Sequence, residues 1–277
     1  MVQTVFGSSG DVGAWFSPDG TKVAWPADDG VHLADADGTN SRLVEPMSTT
    51  CHTVCTEMSV AWSGDGTKLL IGGGGPGTNA LQVYSLATGQ LTDVAPRMRV
   101  VLYSAVGFTR GGAPVYTRDT DRSGIDPFDL LVGSRVVYRF GTSHCECGGL
   151  RLSPDGRHVA IAWQGLQGDV IRVIDVRNGV AHDIHGYNPA FALWWSPDST
   201  RIVFPDLFQG SWTTETIAAS GGKAHTVGPG IAVGWARDGE VLIVRNNYTE
   251  LWASDGGPER LLFGAPKNLL IDWVDAA

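Results

Sequence analysis

The sequence predicts an all-β protein that is assembled from repeated units of four short strands. The first observation behind this prediction is a tight-turn phrase that returns at a nearly fixed interval along the chain. The second is a series of short apolar segments separated by turn residues roughly every 8–12 residues. The third is that no segment shows the spacing of apolar residues that an amphipathic helix requires.

The repeated phrase consists of an aromatic or apolar residue, a Ser-Pro-Asp-Gly turn or a variant of it, and a short apolar run. Proline presets φ for the second turn position, aspartate bonds the local backbone, and glycine accepts the positive φ that follows. Each turn should therefore join an inner strand to a second strand as a tight hairpin. Successive copies lie 40 to 46 residues apart, which is the span of a four-stranded propeller blade. The serine of the phrase, or its replacement, is Ser17, Ser63, Thr109, Ser153, Ser196 and Ala236.

Each unit continues through a third and a fourth strand, with a glycine-containing turn between them in most copies. Six complete units are visible, so the sequence predicts one β-propeller domain over residues 1–277 with six four-stranded blades. Fragments at both ends, Val2–Phe6 and Asn268–Val274, leave seven blades as the alternative. Examples of predicted third strands are Ala80–Leu86 and Val170–Val176, and of fourth strands Ser134–Phe140 and Glu259–Phe263.

Composition narrows the class of protein. A hydrophobic content of 43% in 277 residues is typical of a packed globular domain. The net charge of −9 and the lack of a basic stripe argue against nucleic acid as a partner. No apolar run is long enough to span a bilayer, and no signal peptide is visible at the N-terminus.

The turn phrase and the apolar strand after it resemble the repeats of the TolB-type, or WD40-like, β-propeller family. The resemblance covers nearly the whole chain, and Thr117–Gly124 is similar to the family's S-D-R-D-G loop between second and third strands. The turns at Gly111 and Ala236 depart from the pattern. The resemblance implies an extracytoplasmic location, periplasmic or secreted, and a role in docking other proteins.

Four cysteines occur as two close pairs, each in a connection between a fourth strand and the next inner strand. Even, paired cysteines favour an oxidising compartment. Disulfides within each pair, disulfides between the pairs, free thiols and a zinc site that includes His144 are the open interpretations. The spacings C-x3-C and C-x-C differ from the usual C-x2-C zinc knuckle, which weakens the metal hypothesis. The pairs are Cys51 with Cys55 and Cys145 with Cys147.

A second metal hypothesis concerns calcium. Asp119, Asp121, Ser123 and Asp126 alternate along one loop in the manner of a calcium-binding loop. Leu130 occupies the position where such a loop needs a bidentate acid. The family's ordinary loop accounts for the same residues, so no cofactor is predicted, and zinc and calcium remain as alternatives.

In a propeller, the connections from second to third strands share one face with those that lead into each inner strand. We call this predicted surface the loop face. Arginines there could bind a carboxylate or phosphate, and aromatic residues could line a sugar or peptide site. Trp62, Trp195 and Trp235 recur before the turns and are instead predicted to pack between blades. The candidate ligand-binding residues are His52, Arg97, Arg99, Tyr103, His144, Trp163, His185, Tyr187, Phe208, Trp212 and Tyr248.

The sequence contains no nucleophile elbow, no H-E-x-x-H motif and no phosphate-binding loop. We therefore expect a non-enzymatic binding module that presents loops to a protein, peptide or glycan. The first alternative is a propeller enzyme, a metal-assisted lyase or hydrolase, that uses His52, His144, His185, Tyr187 and the cysteines. The second alternative is the sensor domain of a larger membrane protein.

Overall fold

The computed structural model describes thirteen segments of the chain, and all of the regular structure in them is β-strand. The predicted strands at Val2–Phe6 and over most of Asn268–Val274 lie outside the described residues. The segments are residues 14–27, 29–46, 56–74, 79–98, 101–119, 128–141, 150–165, 168–185, 193–208, 210–236, 238–245, 250–264 and 274–275.

The chain forms two compact units, each of which holds three four-stranded antiparallel sheets. The first unit comprises residues 1–143, 176–179 and 277. Within each of its sheets, strands that follow one another in the chain are hydrogen-bonded neighbours. The strands are β1 (Ala14–Phe16), β2 (Lys22–Ala27), β3 (Gly30–Asp35) and β4 (Arg42–Pro46) in the first sheet; β5 (Thr56–Trp62), β6 (Lys68–Gly74), β7 (Asn79–Ser85) and β8 (Leu91–Met98) in the second; and β9 (Leu102–Phe108), β10 (Pro114–Asp119), β11 (Phe128–Val132) and β12 (Arg135–Arg139) in the third.

The second unit comprises residues 144–175 and 180–276 and repeats the same meander three times. A short strand, β25 (Val274–Asp275), follows its last sheet in the chain. The strands are β13 (Arg151–Leu152), β14 (His158–Gly165), β15 (Gly168–Asp175) and β16 (Ala181–His185) in the fourth sheet; β17 (Trp194–Trp195), β18 (Arg201–Phe208), β19 (Ser211–Ala218) and β20 (His225–Pro229) in the fifth; and β21 (Ile231–Trp235), β22 (Val241–Arg245), β23 (Glu250–Ser254) and β24 (Arg260–Gly264) in the sixth.

The Ser-Pro-Asp-Gly turns form as their chemistry predicts. The buried Ser17 hydroxyl donates to Asp19 Oδ1 at 2.6 Å and accepts from the Lys22 backbone N–H at 3.0 Å. Asp19 Oδ1 also accepts from the Thr21 backbone N–H, and Gly20 adopts a φ of +71°. The same bonds recur around the buried serines Ser63, Ser153 and Ser196. Each turn thus fixes its hairpin by bonds between residues that are at most five positions apart.

Apolar side chains on alternating strand positions fill the space between successive sheets of one unit. In the first unit one cluster joins the first and second sheets and another joins the second and third. In the second unit two clusters join the fourth sheet to the fifth and the fifth to the sixth. The largest fully buried side chains include Leu69, Leu70, Leu81, Leu130, Leu131, Phe140, Ile161, Ile171, Leu193, Ile202 and Phe204.

The tryptophans before the turns pack between sheets, as predicted. Trp195 is buried, and its indole N–H donates to the carbonyl oxygen of Arg151 in the preceding sheet at 3.0 Å. Trp235 makes the same bond to Trp194 O at 3.2 Å and is covered by the Arg201 guanidinium, 4.8 Å from the centre of its ring. These residues therefore act within the core.

Candidate functional site

Most of the predicted site residues lie outside the described part of the chain. Trp163, His185 and Phe208 lie near or at the ends of β14, β16 and β18, and only their backbones are described. The residues outside are His52, Arg99, His144, Tyr187 and Tyr248, the four cysteines Cys51, Cys55, Cys145 and Cys147, and the calcium-loop residues Asp121, Ser123 and Asp126. Four predicted site residues have side chains that the structure describes: Arg97, Tyr103, Asp119 and Trp212. We call the end of each sheet where the second strand connects to the third its loop end.

Arg97 lies on β8 and is paired with a carboxylate of the same strand. Its Nε and Nη2 donate to the two oxygens of Asp93 at 3.1 and 3.2 Å, and Gln82 donates to the same carboxylate at 2.8 Å. The hydrogen bond from Arg97 lowers the pKa of Asp93, and the same bond raises the pKa of Arg97. Burial raises the pKa of the nearby Glu45, although the Arg97 charge opposes the shift. The positive charge of Arg97 is therefore largely balanced where it stands.

Tyr103 is buried on β9 between the second and third sheets. Its hydroxyl donates to Pro96 O at 3.1 Å, and its ring meets the Tyr116 ring edge-on, with 6.1 Å between the centroids. Burial raises the pKa of both tyrosines, while the charge of Arg118 acts to lower it. In this structure Tyr103 is a packing residue, and the polar group beside it is the guanidinium of Arg118.

A charged row that the sequence did not reveal crosses the third sheet beside Tyr103. Arg118 on β10 pairs in register with Asp129 on β11, which pairs in turn with Arg139 on β12. Arg118 Nη2 donates to Asp129 Oδ2 at 2.7 Å, and Arg139 Nε donates to Oδ1 at 2.8 Å. Burial would raise the pKa of Asp129, but the hydrogen bonds from Arg139 and Arg118 outweigh it and lower that pKa. We call Arg118 and Arg139 the guanidinium pair.

Asp119 is the last residue of β10 and is half-buried. It is the one predicted calcium ligand that belongs to the described residues. Within those residues, no group of three or more histidine, cysteine, aspartate or glutamate side chains lies close enough together to hold a metal ion. The zinc and calcium hypotheses depend on side chains beyond them and stay predictions.

Trp212 lies near the tip of the hairpin formed by β18 and β19 in the fifth sheet. It stands directly opposite Leu207, whose surface is 40% exposed although the residue is apolar. The turn between the strands contains Gly210 with a φ of +80°. The Gly230 backbone N–H donates to Trp212 O at 2.9 Å and anchors the hairpin to the next connection. We call Leu207 and Trp212 the apolar pair.

Two acidic residues lie on the same hairpin, at strand positions that face away from the apolar pair. Asp206 precedes Leu207, and Glu215 lies on β19. Burial raises the pKa of Glu215, and the charge of Asp206 adds to that rise against the hydrogen bond from the Thr226 hydroxyl. The loop half of this hairpin, within the described residues, carries no basic side chain. The hairpin therefore carries negative charge on the face opposite the apolar pair.

A third cluster ties the fifth and sixth sheets together. Arg245 Nε donates to Pro229 O at 2.6 Å, and its two Nη atoms donate to both oxygens of Glu259. The guanidinium also lies over the Trp252 ring, 5.0 Å from its centre. A side chain at Gly228 would collide with the Glu259 carboxylate. All of these groups are engaged with one another, so we assign the cluster to structure.

At the loop end of the first sheet, His32 is sandwiched between a ring and a carboxylate. Its imidazole stacks on Trp25, with 5.3 Å between the ring centroids, and its Nε2 lies 2.6 Å from Asp29 Oδ1. The hydrogen bond from His32 lowers the pKa of the exposed Asp29. No local sequence pattern predicted this arrangement, because it depends on the register of β2 against β3.

Solved structures share this arrangement of sheets. TolB from Acinetobacter baumannii matches with a TM-score of 0.56 and 15% identity over 77% of this chain, which spans 53% of that chain. An oligogalacturonate lyase in complex with manganese matches at 0.65 and 14%, over 92% of this chain and 79% of that one. The Cps50 (Swd1) β-propeller domain of Myceliophteria thermophila matches at 0.61 and 13%, over 99% and 92%.

These likenesses confirm the predicted fold: the chain is an all-β propeller with six four-stranded blades, similar in fold to TolB and to the Cps50 (Swd1) β-propeller domain. No family model matches the sequence, and no curated protein matches it significantly. At identities this low the likeness concerns the fold and leaves the activity open. No helix that could cross a membrane occurs in the described segments.

Proposed function

We propose that this propeller is a binding module that docks a protein or peptide at the loop end of its fifth sheet. The observation that carries the proposal is the exposed Leu207 placed directly opposite Trp212 at the tip of a long hairpin. Tryptophan is enriched among the residues that dominate binding energy, because a large ring is desolvated while few rotamers are lost. The apolar pair would form the centre of the contact.

The rigidity of the hairpin supports this role. β18 and β19 are eight residues long, and every residue of one strand pairs with a residue of the other. The bond from Gly230 to Trp212 O is joined by one from the Thr214 hydroxyl to Gly230 O at 3.1 Å. A surface that is already ordered loses little conformational entropy on binding.

The charges on the hairpin favour one kind of partner. Asp206 and Glu215 give this hairpin two carboxylates on the face opposite the apolar pair, so a partner that carries apolar and basic residues and reaches both faces of the hairpin is electrostatically complementary. Such binding should weaken as salt is added, because exposed charges are screened. A glycan that stacks on Trp212 would bind with little dependence on salt.

A panel of random peptides displayed on phage and selected on the whole chain tests the proposal. We expect selected peptides to contain apolar and basic residues, and to lose at least tenfold in affinity on Leu207→Ser and on Trp212→Ala. Val180→Ser is the matched control, because Val180 is an exposed apolar residue on another hairpin. Equal binding of all three variants would place the docking site elsewhere.

A metal-assisted lyase is the second candidate. It is favoured by the likeness to the oligogalacturonate lyase that was solved with manganese. His52, His144, His185, Tyr187 and the cysteines would then supply the metal ligands and the acid–base groups. Elemental analysis of the purified chain for manganese and zinc, with an assay for the unsaturated product of oligogalacturonate, decides this point. Stoichiometric metal together with turnover would favour the enzyme over the docking module.

The proposal includes an extracytoplasmic location, periplasmic or secreted, which the resemblance to TolB-type repeats implies. A count of reactive thiols under denaturing conditions examines the compartment indirectly, because disulfides persist in oxidising surroundings. Four blocked thiols, at Cys51, Cys55, Cys145 and Cys147, are expected. Four free thiols would favour a reducing compartment.

A further inference from the structure

We propose that the guanidinium pair, Arg118 and Arg139, forms a binding site for an oxyanion, the carboxylate or phosphate group of a ligand. The two guanidinium groups share a single carboxylate, that of Asp129. The side chain of Asp129 is only 10% exposed, whereas those of Arg118 and Arg139 are 33% and 69% exposed. One negative charge is therefore enclosed behind two positive charges that reach the solvent.

Two other arginines of the protein form ion pairs in which one guanidinium bonds both oxygens of one carboxylate. Arg172 donates through Nε and Nη2 to both oxygens of Asp183, at 2.6 and 2.7 Å. Arg245 likewise uses two nitrogens on Glu259. In those pairs one carboxylate meets the fork of one guanidinium, which is the strongest arrangement of these groups. The guanidinium pair differs, because two forks compete for one carboxylate.

Because Arg118 and Arg139 share one carboxylate, some of their guanidinium N–H groups have no acceptor among the described residues. A guanidinium has five N–H groups in a fixed plane. Among the described residues, the only hydrogen-bond partner of Arg139 is Asp129, reached through Nε, so both Nη atoms stay available on an exposed side chain. Arg118 uses Nη2 on Asp129, and its Nε is buried without a partner. The Nη atoms of Arg139, with Nη1 of Arg118, are the donors that a ligand would meet.

Asp129 also holds the two arginines in place. It lies on β11, the strand between their strands, and pairs in register with both. The hydrogen bonds from Arg139 and Arg118 lower its pKa, so the carboxylate stays charged at neutral pH and keeps both guanidinium groups oriented. Because the arginine donors are already held in place before binding, the two side chains would lose less conformational entropy when an oxyanion binds. The site carries a net charge of about +1, as expected from two arginines and one aspartate.

The planar forks decide the class of ligand. Carboxylate and phosphate present pairs of oxygens at the spacing of two guanidinium nitrogens, which is why arginine recognises both. The experiment therefore uses two probes, inorganic phosphate and glutarate, so that the source of the oxyanion is distinguished. Tighter binding of phosphate would point to a phosphorylated ligand, and tighter binding of glutarate to an acidic side chain or chain terminus.

The test is a titration of the whole chain at low salt, followed by NMR of the arginine Nε–H groups and by calorimetry. We expect saturable binding of at least one probe with a shift of the Arg139 Nε–H resonance. Arg139→Gln should weaken binding at least tenfold, and Arg139→Lys should recover part of it, since the charge remains while the fork is lost. Arg157→Gln is the matched control, because Arg157 is 64% exposed and lies on a turn of another sheet.

Two results would overturn the site. One is the absence of saturable binding of either probe, in which case the row is a structural ion-pair network only. The other is equal weakening by Arg139→Gln and Arg157→Gln, which would show general attraction to positive charge. Arg139 is exposed, so its variants should fold, and circular dichroism verifies that they do. The guanidinium pair and the apolar pair belong to different units, so the failure of either proposal leaves the other standing.

Discussion

The indole Nε1 of Trp62 donates a hydrogen bond of 2.8 Å to the carbonyl oxygen of Trp15. Trp62 ends the inner strand of the second sheet, and Trp15 lies on the inner strand of the first. Trp195 and Trp235 make equivalent bonds, so the tryptophan of the repeat contributes a hydrogen bond between sheets in addition to its apolar packing. Each of the three bonds joins successive sheets within one unit.

Replacement of Trp62 by phenylalanine tests this link. The variant keeps an aromatic ring but removes the N–H, so we expect the free energy of unfolding to fall by about 1 kcal/mol, the usual net value of one hydrogen bond. Trp25→Phe is the control, because Trp25 stacks on His32 and its indole has no hydrogen-bond partner among the described residues. Urea unfolding followed by circular dichroism measures both. Similar losses in the two variants would mean that bulk, rather than the bond, matters at Trp62.

Ser199 occupies the turn position that glycine holds in most other copies of the phrase. It adopts a φ of +62°, and its hydroxyl accepts from the Asp155 backbone N–H of the preceding sheet at 3.0 Å. Glycine at this position would relieve about 1 kcal/mol of backbone strain but lose a bond of similar value. We expect Ser199→Gly to unfold at nearly the wild-type urea midpoint.

Ser199→Ala separates the two effects. Alanine keeps the strained φ and removes the hydroxyl, so the free energy of unfolding should fall by about 1 kcal/mol. The expected order of urea midpoints therefore places the alanine variant below both the wild type and the glycine variant. A stable alanine variant would show that the bond to Asp155 contributes nothing.

The architecture was predictable because its signals are local. The serine, aspartate and glycine of each turn interact within a few residues, so the sequence placed every hairpin of this kind. The predicted third strands Ala80–Leu86 and Val170–Val176 are observed as Asn79–Ser85 and Gly168–Asp175. Differences of one or two residues at strand ends leave the order of strands unchanged.

Features that depend on the neighbouring strand or sheet were not predictable. The row from Arg118 to Arg139 requires the register of three strands, including an irregularity between Leu130 and Leu131 that no local pattern marks. Position 72, within β6, is occupied by glycine because a Cβ there would lie 2.7 Å from Tyr103 O on the next sheet. Such contacts join residues that are distant in sequence, and a single sequence carries little record of them.

The candidate site was predicted only in part for the same reason. Trp212 was named from its place in a loop, and the structure adds its partner Leu207. Arg97 was predicted in a loop, whereas the structure places it on β8, and Tyr103 was predicted on the inner strand that follows, where β9 has it. Their partners Asp93 and Pro96 O depend on how β8 and β9 pack. The sequence thus indicated which side chains could bind a ligand, but it did not predict which residues contact them.

Stability at acid pH should depend on the turn aspartates. Hydrogen bonds from Ser17 and the Thr21 backbone lower the pKa of Asp19 from 3.8 to about 2, and those from Ser63 and Thr67 do the same for Asp65. The unfolded chain binds protons first as pH falls, so these groups stabilise the fold above pH 3.8 and lose that effect as pH falls towards 2. Asp65→Asn should therefore flatten the dependence of the urea midpoint on pH between about 4 and 2.

The convergence of the two proteins at low pH is the internal check. Below the folded pKa of Asp65 the carboxyl is protonated, so the wild type should approach the stability of Asp65→Asn. A constant difference between the two midpoints across this range would show that the aspartate acts through shape, without a role for its charge.

Gly179 and Gly133 offer a matched test of close packing against backbone strain. Both lie in the first unit and have positive φ values, +74° and +59°. A Cβ at Gly179 would collide with the carbonyl oxygen of Val137, whereas a Cβ at Gly133 would meet nothing within 4 Å. Gly133→Ala should therefore cost only the strain of a left-handed alanine, about 1 kcal/mol.

Gly179→Ala should cost this strain and the collision together, and we expect a loss of about 3 kcal/mol because a backbone carbonyl cannot rotate away as a side chain can. Thermal and urea unfolding of both variants measure the difference. If Gly179→Ala loses no more than Gly133→Ala, the segment 176–179 does not pack against β12 in solution. A larger loss confirms that this short segment belongs to the first unit, because only a chain held firmly against Val137 would resist the added methyl group.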